Sequence, residues 1–321
     1  MPTDRILGAT STTDEVLDGV DLSGRTAAVT GASGGLGLET ARALAACGAH
    51  VVMAARDEQR LNDAVEVIRT DQPDALLSTQ VLDLADVTSC RRAAVSVLAN
   101  NDRLDVLINN AGVMCTPFGR TTDGFETQFG VNHLGHMAWT VPLLDLLVRS
   151  SSAGAPSRII NLSSAGHRFG DVDLDDPNFL QREYDEWAAY GQSKTANILF
   201  SVELDRRLAE QGVRSVAVHP GGIHTDLGRH MTTELRTQMK DRIVQSNPGG
   251  FAWKTVPQGA ATTVWAATAD EFVNRGGVYC EDCGVADVAL SEDGPGVRAS
   301  AVDPERAATL WDTSMALLAQ V

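Results

Sequence analysis

Thr30-Gly31-Ala32-Ser33-Gly34-Gly35-Leu36-Gly37 stands between a short β-branched run, Thr26 to Thr30, and an Ala- and Leu-rich stretch of helical character. Glycines at such a turn let the backbone come close to a pyrophosphate, and the helix that follows offers free N–H groups and the positive end of its dipole. A glycine-rich string alone would serve any tight turn. Its position, at the head of a domain-length alternation of strands and helices, makes Thr30, Gly31, Ser33, Gly35, Leu36 and Gly37 candidate contacts of a dinucleotide.

Working outward, the β-branched and apolar runs predict strands at Thr26 to Thr30, His50 to Ala54, Thr79 to Leu82, Val106 to Asn109, Arg158 to Leu162, Val213 to Val218 and Gly277 to Cys280. Between them, helical periodicity predicts helices near 35–47, 57–69, 87–99, 123–148, 189–211, 257–269 and 304–319. That rhythm is α/β: a single Rossmann-type doubly wound parallel sheet with helices on both faces, and ligands at the carboxyl edge of the strands. Residues 1–21 read as a polar lead-in and 22–321 as one catalytic domain, in which the region near 221–250 is either a substrate lid or a plain surface helical hairpin. Loops are expected at Ser150 to Ser157, Asp171 to Glu186 and Asn247 to Gly250, the last after a helix-prone piece from Thr232 to Gln245.

The 321 residues can bury a substantial core without disulfides or metals, and a formal net charge of −16 opposes binding to nucleic acid or to anionic membranes. Backbone dipoles and one or two basic side chains can still hold a pyrophosphate inside an acidic protein. Cys47, Cys90, Cys115, Cys280 and Cys283 are scattered and odd in number, which fits a reducing cytoplasm better than a secreted framework. No apolar run reaches the roughly 18 residues of a membrane span, since Ala138 to Val148 is broken by Asp145. The chain is therefore expected to be soluble and cytoplasmic.

Coenzyme choice is normally decided at the end of the second strand, where a carboxylate selects a free ribose 2′-hydroxyl and an arginine accommodates a 2′-phosphate. Here Ala55 is followed by Arg56, which favours NADP. NAD is the alternative if Asp57 binds the ribose, although Asp57 also suits a helix N-cap. Asp83, at the end of the third strand, is a candidate for the adenine amino group or for an ordinary turn. Tyr190-Gly191-Gln192-Ser193-Lys194 sets a phenol and an ammonium one helical turn apart, and a nearby cation favours the phenolate. Ser163-Ser164 ends the fifth strand, Asn109-Asn110-Ala111-Gly112 ends the fourth, and Asn132 sits in a long helix.

With these motifs in this order, Leu22 to Leu318 resembles the short-chain dehydrogenase/reductase family. Asp123 to Glu126, Val131 to His136 and Tyr190 to Phe200 are most similar to its retinol dehydrogenase, WW-domain oxidoreductase and protochlorophyllide reductase-like group. The resemblance implies a tetrad of Asn132, Ser164, Tyr190 and Lys194. Ser164 would bond the substrate oxygen, Tyr190 would exchange the proton, Lys194 would also hold the nicotinamide ribose, and Asn132 would bind a water that continues the proton path. It further implies coenzyme contacts from Leu84, Asn110, Ala111, Gly112, Pro220, Gly221, Ile223 and Thr225. The expected activity is carbonyl–alcohol interconversion on a fairly apolar small molecule. A cofactor-binding regulator without turnover is the alternative, which the full tetrad argues against.

Residues 1–21 show neither the hydrophobic anchor of membrane-bound retinol dehydrogenases nor a WW module, so neither is expected here, and substrate and partners are not carried over. The acidic insertion between Ser164 and Tyr190 brings Phe169, Phe179, Tyr184 and Trp187, which either frame an apolar substrate mouth or pin the insertion. The helices at 123–148 and 189–211 lie where family members commonly pair subunits, so a homo-oligomer is expected, with His133, His136 and Trp139 partly buried by it. Cys280 and Cys283 lack a second ligand pair, and no metal site is expected.

Overall fold

Seven runs of extended chain form β1 (Thr26–Thr30), β2 (His50–Ala55), β3 (Leu77–Val81), β4 (Val106–Asn109), β5 (Ser157–Leu162), β6 (Val213–His219) and β7 (Val278–Glu281) in a computed structural model that describes residues 6–246, 252–291 and 294–321. All seven pair in parallel, and a short antiparallel β8 (Gly284–Val285) closes the order β3-β2-β1-β4-β5-β6-β7-β8. The order reverses between β1 and β4, and that switch point opens a crevice at the carboxyl edge. Inner strands are covered on both faces and read as apolar runs, whereas edge strand β3, LSTQV, is partly exposed.

The helices are α1 (Thr13–Val16), α2 (Gly35–Ala46), α3 (Glu58–Asp71), α4 (Val87–Asn100), α5 (Thr127–Phe129), α6 (Gly135–Thr140), α7 (Leu144–Ser150), α8 (Glu186–Leu208), α9 (Thr233–Ser246), α10 (Val256–Thr268) and α11 (Pro304–Leu318). Successive strand residues face opposite ways, so Ala28 and Leu107 join one core layer under α4, α6, α8 and α11. Ala27, Val29 and Ile108 join the other, under α2, α3 and α10. Carboxylate caps set many starts: Asp57, Asp86, Asp185 and Asp303 accept backbone N–H groups at the heads of α3, α4, α8 and α11.

The single helix expected over 123–148 is a series of segments. Asp123 accepts the Val87 N–H instead of starting a helix, and Glu126 caps Gln128 and Phe129 so that α5 begins at Thr127. Gly130–Leu134 is then a π-turn, and Val141–Leu143, with Pro142 lacking a donor, is a 3₁₀ turn before α7. The expectation that pairing of subunits partly buries His133, His136 and Trp139 is also corrected. Within one chain they are 1%, 1% and 0% exposed: α11 lies over α8, where Trp311 stacks on Phe200 and the Ser314 hydroxyl meets His133 Nε2 at 2.8 Å, while His136 is bonded to Thr30 and Asn132 and Trp139 lies in the core layer. Helix α9 matches the helix-prone piece, while the loop expected at Asn247 to Gly250 lies outside the described residues.

Candidate active site

The glycine turn fits a bound pyrophosphate. Gly31 (φ +70°) and Gly35 (φ +55°) occupy the left-handed region, and a Cβ on Gly31 would stand 3.0 Å from Ala111 Cα. Gly37 is closer packed, its Cβ position falling 2.3 Å from Gly31 O. No side chain caps the head of α2, so its first N–H groups are left for a ligand, with Ser33 and Leu36 half-buried beside them.

Thr30 ties this turn to the end of β4. Its hydroxyl accepts the Asn110 and Ala111 N–H groups at 2.9 and 3.0 Å, and Asn110 Nδ2 donates to Thr30 O at 2.7 Å. His136 completes the tie: Nδ1 donates to Asn132 O (2.9 Å), which leaves Nε2 to accept from the Thr30 hydroxyl (2.9 Å).

At the adenosine end Arg56 is exposed, and the Asp57 carboxylate accepts the Arg60 N–H at 3.0 Å as the cap of α3. Asp83 accepts from Ala85 N at 3.0 Å in a turn, and the Leu84 side chain lies in the core, its carbonyl against Gly135. Across the crevice, the Gly35 Cβ position lies 3.7 Å from Thr225 Cγ2. Gly221 (φ +94°), which follows Pro220, packs under Lys254, and Ile223 bridges to Lys254 and meets Leu36 at Gly259 of α10.

The four tetrad residues come together beside that crevice. Helix α8 carries Tyr190 and Lys194, with Lys194 Nζ 5.7 Å from the Tyr190 ring centre. The Gly166 Cβ position would fall 2.6 Å from Tyr190 Cε1 and 3.2 Å from Ser164 Oγ, so a glycine is needed where serine and phenol approach. Ser163 and Ser164 are separated clearly: Ser163 is buried and donates to Lys194 O at 2.8 Å, while half-buried Ser164 caps a 3₁₀ turn, Ala165–Phe169, and faces the phenol. Asn132 accepts from Val113 N and donates to Val113 O and Ser193 Oγ, all within 2.9 Å, so its amide is engaged in holding β4's exit loop against α8. Gly112 lies between Asn132 and Lys194, its Cβ position 3.1 Å from Asn132 Oδ1 and 3.6 Å from Lys194 Nζ.

Electrostatics differ from the sequence expectation at Tyr190. Burial pushes the phenol up, and the bond to Ser164 only partly offsets it. The Lys194 ammonium donates to Leu162 O at 3.1 Å and is itself held down at about 8 by burial. In the protein alone, desolvation therefore outweighs the expected effect of the cation on the phenol.

Apolar side chains roof the site. Trp187 and Phe169 meet edge to face at 5.2 Å and cluster with Tyr190, Cys115, Met114 and Met231. Leu235 and Met239 of α9 add to this cluster, and Trp187 Nε1 donates to Gln238 at 2.9 Å. The other two insertion aromatics do a different job: Phe179 packs on Tyr184, whose hydroxyl reaches Thr116 O and buried Glu126, pinning the insertion to the body. Cys280 lies in β7 and Cys283 in the hairpin turn, both as free thiols.

A family model described as short chain dehydrogenase matches residues 25–236. The chain belongs to the short-chain dehydrogenase/reductase family. Among curated relatives of this enzyme family, short-chain dehydrogenase/reductase prx1 of Penicillium rubens is 41% identical, covering 90% of this chain and 84% of its own length. Retinol dehydrogenase 13 of Homo sapiens is 40% identical over 92% and 84%. The chloroplastic short-chain dehydrogenase TIC 32 B of Brassica napus is 39% identical over 97% and 94%. A crystal structure of a protein from Mycobacterium paratuberculosis superposes with a TM-score of 0.71 at 35% identity, covering 95% and 97% of the two chains. The Pseudomonas aeruginosa RhlG/NADP active-site complex gives 0.64 at 27% over 81% and 95%.

Several residues of this family member's site were not found from sequence. Gly259 carries no motif, and only the approach of Ile223 to within 2.5 Å of its Cβ position reveals it. Ser193 lies inside the Tyr190–Lys194 motif, yet its bond to Asn132 is visible only in three dimensions. His136 was visible as a histidine on a helix face, with nothing in the sequence to pair it with Thr30.

Proposed function

We propose that this enzyme interconverts a carbonyl and an alcohol on a fairly apolar small molecule, using NADP(H). The observation that carries the reading is the meeting of Tyr190 and Ser164 at the carboxyl edge, beside the glycine cradle and under the roof of Trp187, Phe169 and Met231. When bound, the dinucleotide supplies or accepts the hydride. Thr30, Gly31, Ser33, Gly35, Leu36 and Gly37 would hold its pyrophosphate, with Asn110, Ala111, Gly112, Pro220, Gly221, Ile223 and Thr225 along the rest of the crevice.

Ser164 bonds the substrate oxygen, and Tyr190 transfers its proton to that oxygen during reduction. Burial keeps the phenol in its protonated, donor form, and the Lys194 ammonium is the cation available to stabilise the phenolate left once the proton is given up. Asn132 acts by fixing β4's exit loop and α8 in register. Helix α9 is the lid: its apolar residues leave Tyr190 only 3% exposed, so substrate entry requires it to move.

NADP is favoured over NAD because Arg56 is exposed at the adenosine end while Asp57 is engaged as a cap; RhlG, a structural relative, was solved with NADP. Among the described residues no helix is long and apolar enough to cross a membrane, and a cytoplasmic location belongs to the same reading. An oligomer of this chain would pair through a face other than the one that α11 covers. Fluorescence titration with both reduced coenzymes, followed by assay against aldehydes, ketones, quinones and sterols, tests the proposal. Tighter NADPH binding, with Ala55→Asp plus Arg56→Leu reversing it, is expected. Equal or tighter NADH binding by the wild type overturns the coenzyme choice, and no turnover across the panel overturns the substrate class.

A further inference from the structure

Beyond Arg56, two more guanidinium groups converge on the adenosine end of the crevice, and one of them comes from the far side. Arg60, on the first turn of α3, brings Nη2 to 3.7 Å from the Gly34 Cβ position, directly beside the glycine turn. A 3₁₀ segment after β6, Asp226–His230, lies across from it: Asp226 Oδ2 is 3.9 Å from Arg60 Nη2, and Thr225 just before it lies against Gly35. Arg229 is anchored in this segment by donating from Nη1 to Asp226 O at 3.1 Å.

Three arginines gather here around one carboxylate in a chain of formal net charge −16. Arg42, Arg103 and Arg206 each sit on carboxylates at short range, whereas others, among them Arg158 and Arg168, bond carbonyls. Among the described residues Arg56 has no ion pair, Arg229 bonds a carbonyl, and Arg60 has only the long, exposed contact to Asp226. Burial, and the facing charges of Arg56 and Arg60, hold the Arg229 guanidinium below its ordinary value. Like charges gathered around a single, exposed counter-ion cost stability, and an anion arriving between them lowers that cost.

We propose that Arg229 completes the binding site for the 2′-phosphate of the coenzyme's adenosine ribose, opposite Arg56 and beside Arg60, so that this phosphate draws the segment after β6 onto the crevice. The ligand chemistry is a phosphomonoester dianion, which takes charge-assisted bonds from guanidinium groups. Because the same segment runs on into α9, the phosphate and the substrate roof are connected by a short stretch of chain, from His230 to Thr233. Coenzyme discrimination thus rests on two walls of the crevice, of which the end of β2 supplies only one.

This inference rests on the NADP reading above, and the test separates the two. Wild type, Arg56→Leu and Arg229→Leu are titrated with NADPH, NADH, adenosine 2′,5′-bisphosphate and adenosine 5′-phosphate. The expected result is that Arg229→Leu weakens NADPH and the bisphosphate about 10-fold or more, the loss of a charge-assisted bond, with NADH and the monophosphate near wild type. Asp226→Asn, which frees Arg60, is expected to tighten NADPH. If the wild type prefers NADPH and Arg56→Leu alone abolishes the preference while Arg229→Leu leaves it intact, Arg229 has no part in the site. An equal loss of both coenzymes in Arg229→Leu would make it a structural residue of the segment and also overturn the proposal. A wild type without NADPH preference refutes the NADP reading itself.

Discussion

At the scale of single residues, Ser163 and Ser164 show what neighbouring hydroxyls in one motif can do. Ser163→Ala removes a second bond to Lys194 O, which in mid-helix keeps its bond from the Ile198 N–H, so the loss should be about 0.5–1.5 kcal/mol of stability by urea unfolding, with most turnover expected to survive. Ser164→Ala should do the reverse, lowering turnover by about 10²-fold or more at near-normal stability. If both variants behaved alike, the distinction drawn from their bonds would be wrong. Lys194→Ala should damage coenzyme affinity and turnover together, and damage confined to one would remove half of its assignment. With Lys194 at about 8, below its ordinary value, its ammonium is present below that pH and is lost as pH rises through it. Steps that need the cation should fade in the same window on a pH profile. The motif residues were legible because chemistry fixes their spacing. The upward shift of Tyr190 was not, because it comes from burial under Met231 and Trp187, which are far apart in the chain or outside the motif.

At the scale of elements, the sequence marked every major strand and helix except where local caps override periodicity, as Glu126 and Pro142 do in the segmented helix from α5 to α7. Helix α1 escaped notice because four residues show no period. It is held by a capping box between Thr12 and Glu15 and by Arg42, which bonds Asp14 and Glu39. The segmented helix also buries two neutral imidazoles, His133 at about 3 and His136 at about 4, both depressed by burial. Unfolded, each takes a proton near pH 6.5, whereas folded neither does until well below, so their contribution is intact above about 6.5 and is lost as pH falls from there towards 4. Each should cost about 2 kcal/mol at about pH 5, and His133→Gln should flatten the fall in urea stability between pH 7 and 5 by that amount. An unchanged slope would show that His133 titrates normally.

For the whole molecule, α11 and the core of the chain itself account for the burial of His133, His136 and Trp139 without a second subunit. Trp311 lies between Phe200 and the Arg207 guanidinium, Ser314 reaches His133, and Arg306 bonds Asp171 of the insertion, so the last helix fastens three distant pieces of chain. Trp311→Ala should lower stability by about 2–3 kcal/mol without changing the mass seen by light scattering. A change in mass would mean that α11 lies in a subunit interface. The doubly wound order was legible because crossover handedness and strand alternation leave few choices; the covering of α8 was not, because α11 carries no motif. If Tyr190 passes the proton in a coenzyme-dependent carbonyl reduction, Tyr190→Phe removes the only oxygen that can do so. Single-turnover reduction of a carbonyl found by the panel, measured alongside NADPH titration, should fall about 10²–10⁴-fold while coenzyme affinity stays near wild type. Near-normal turnover in that variant would contradict the mechanism.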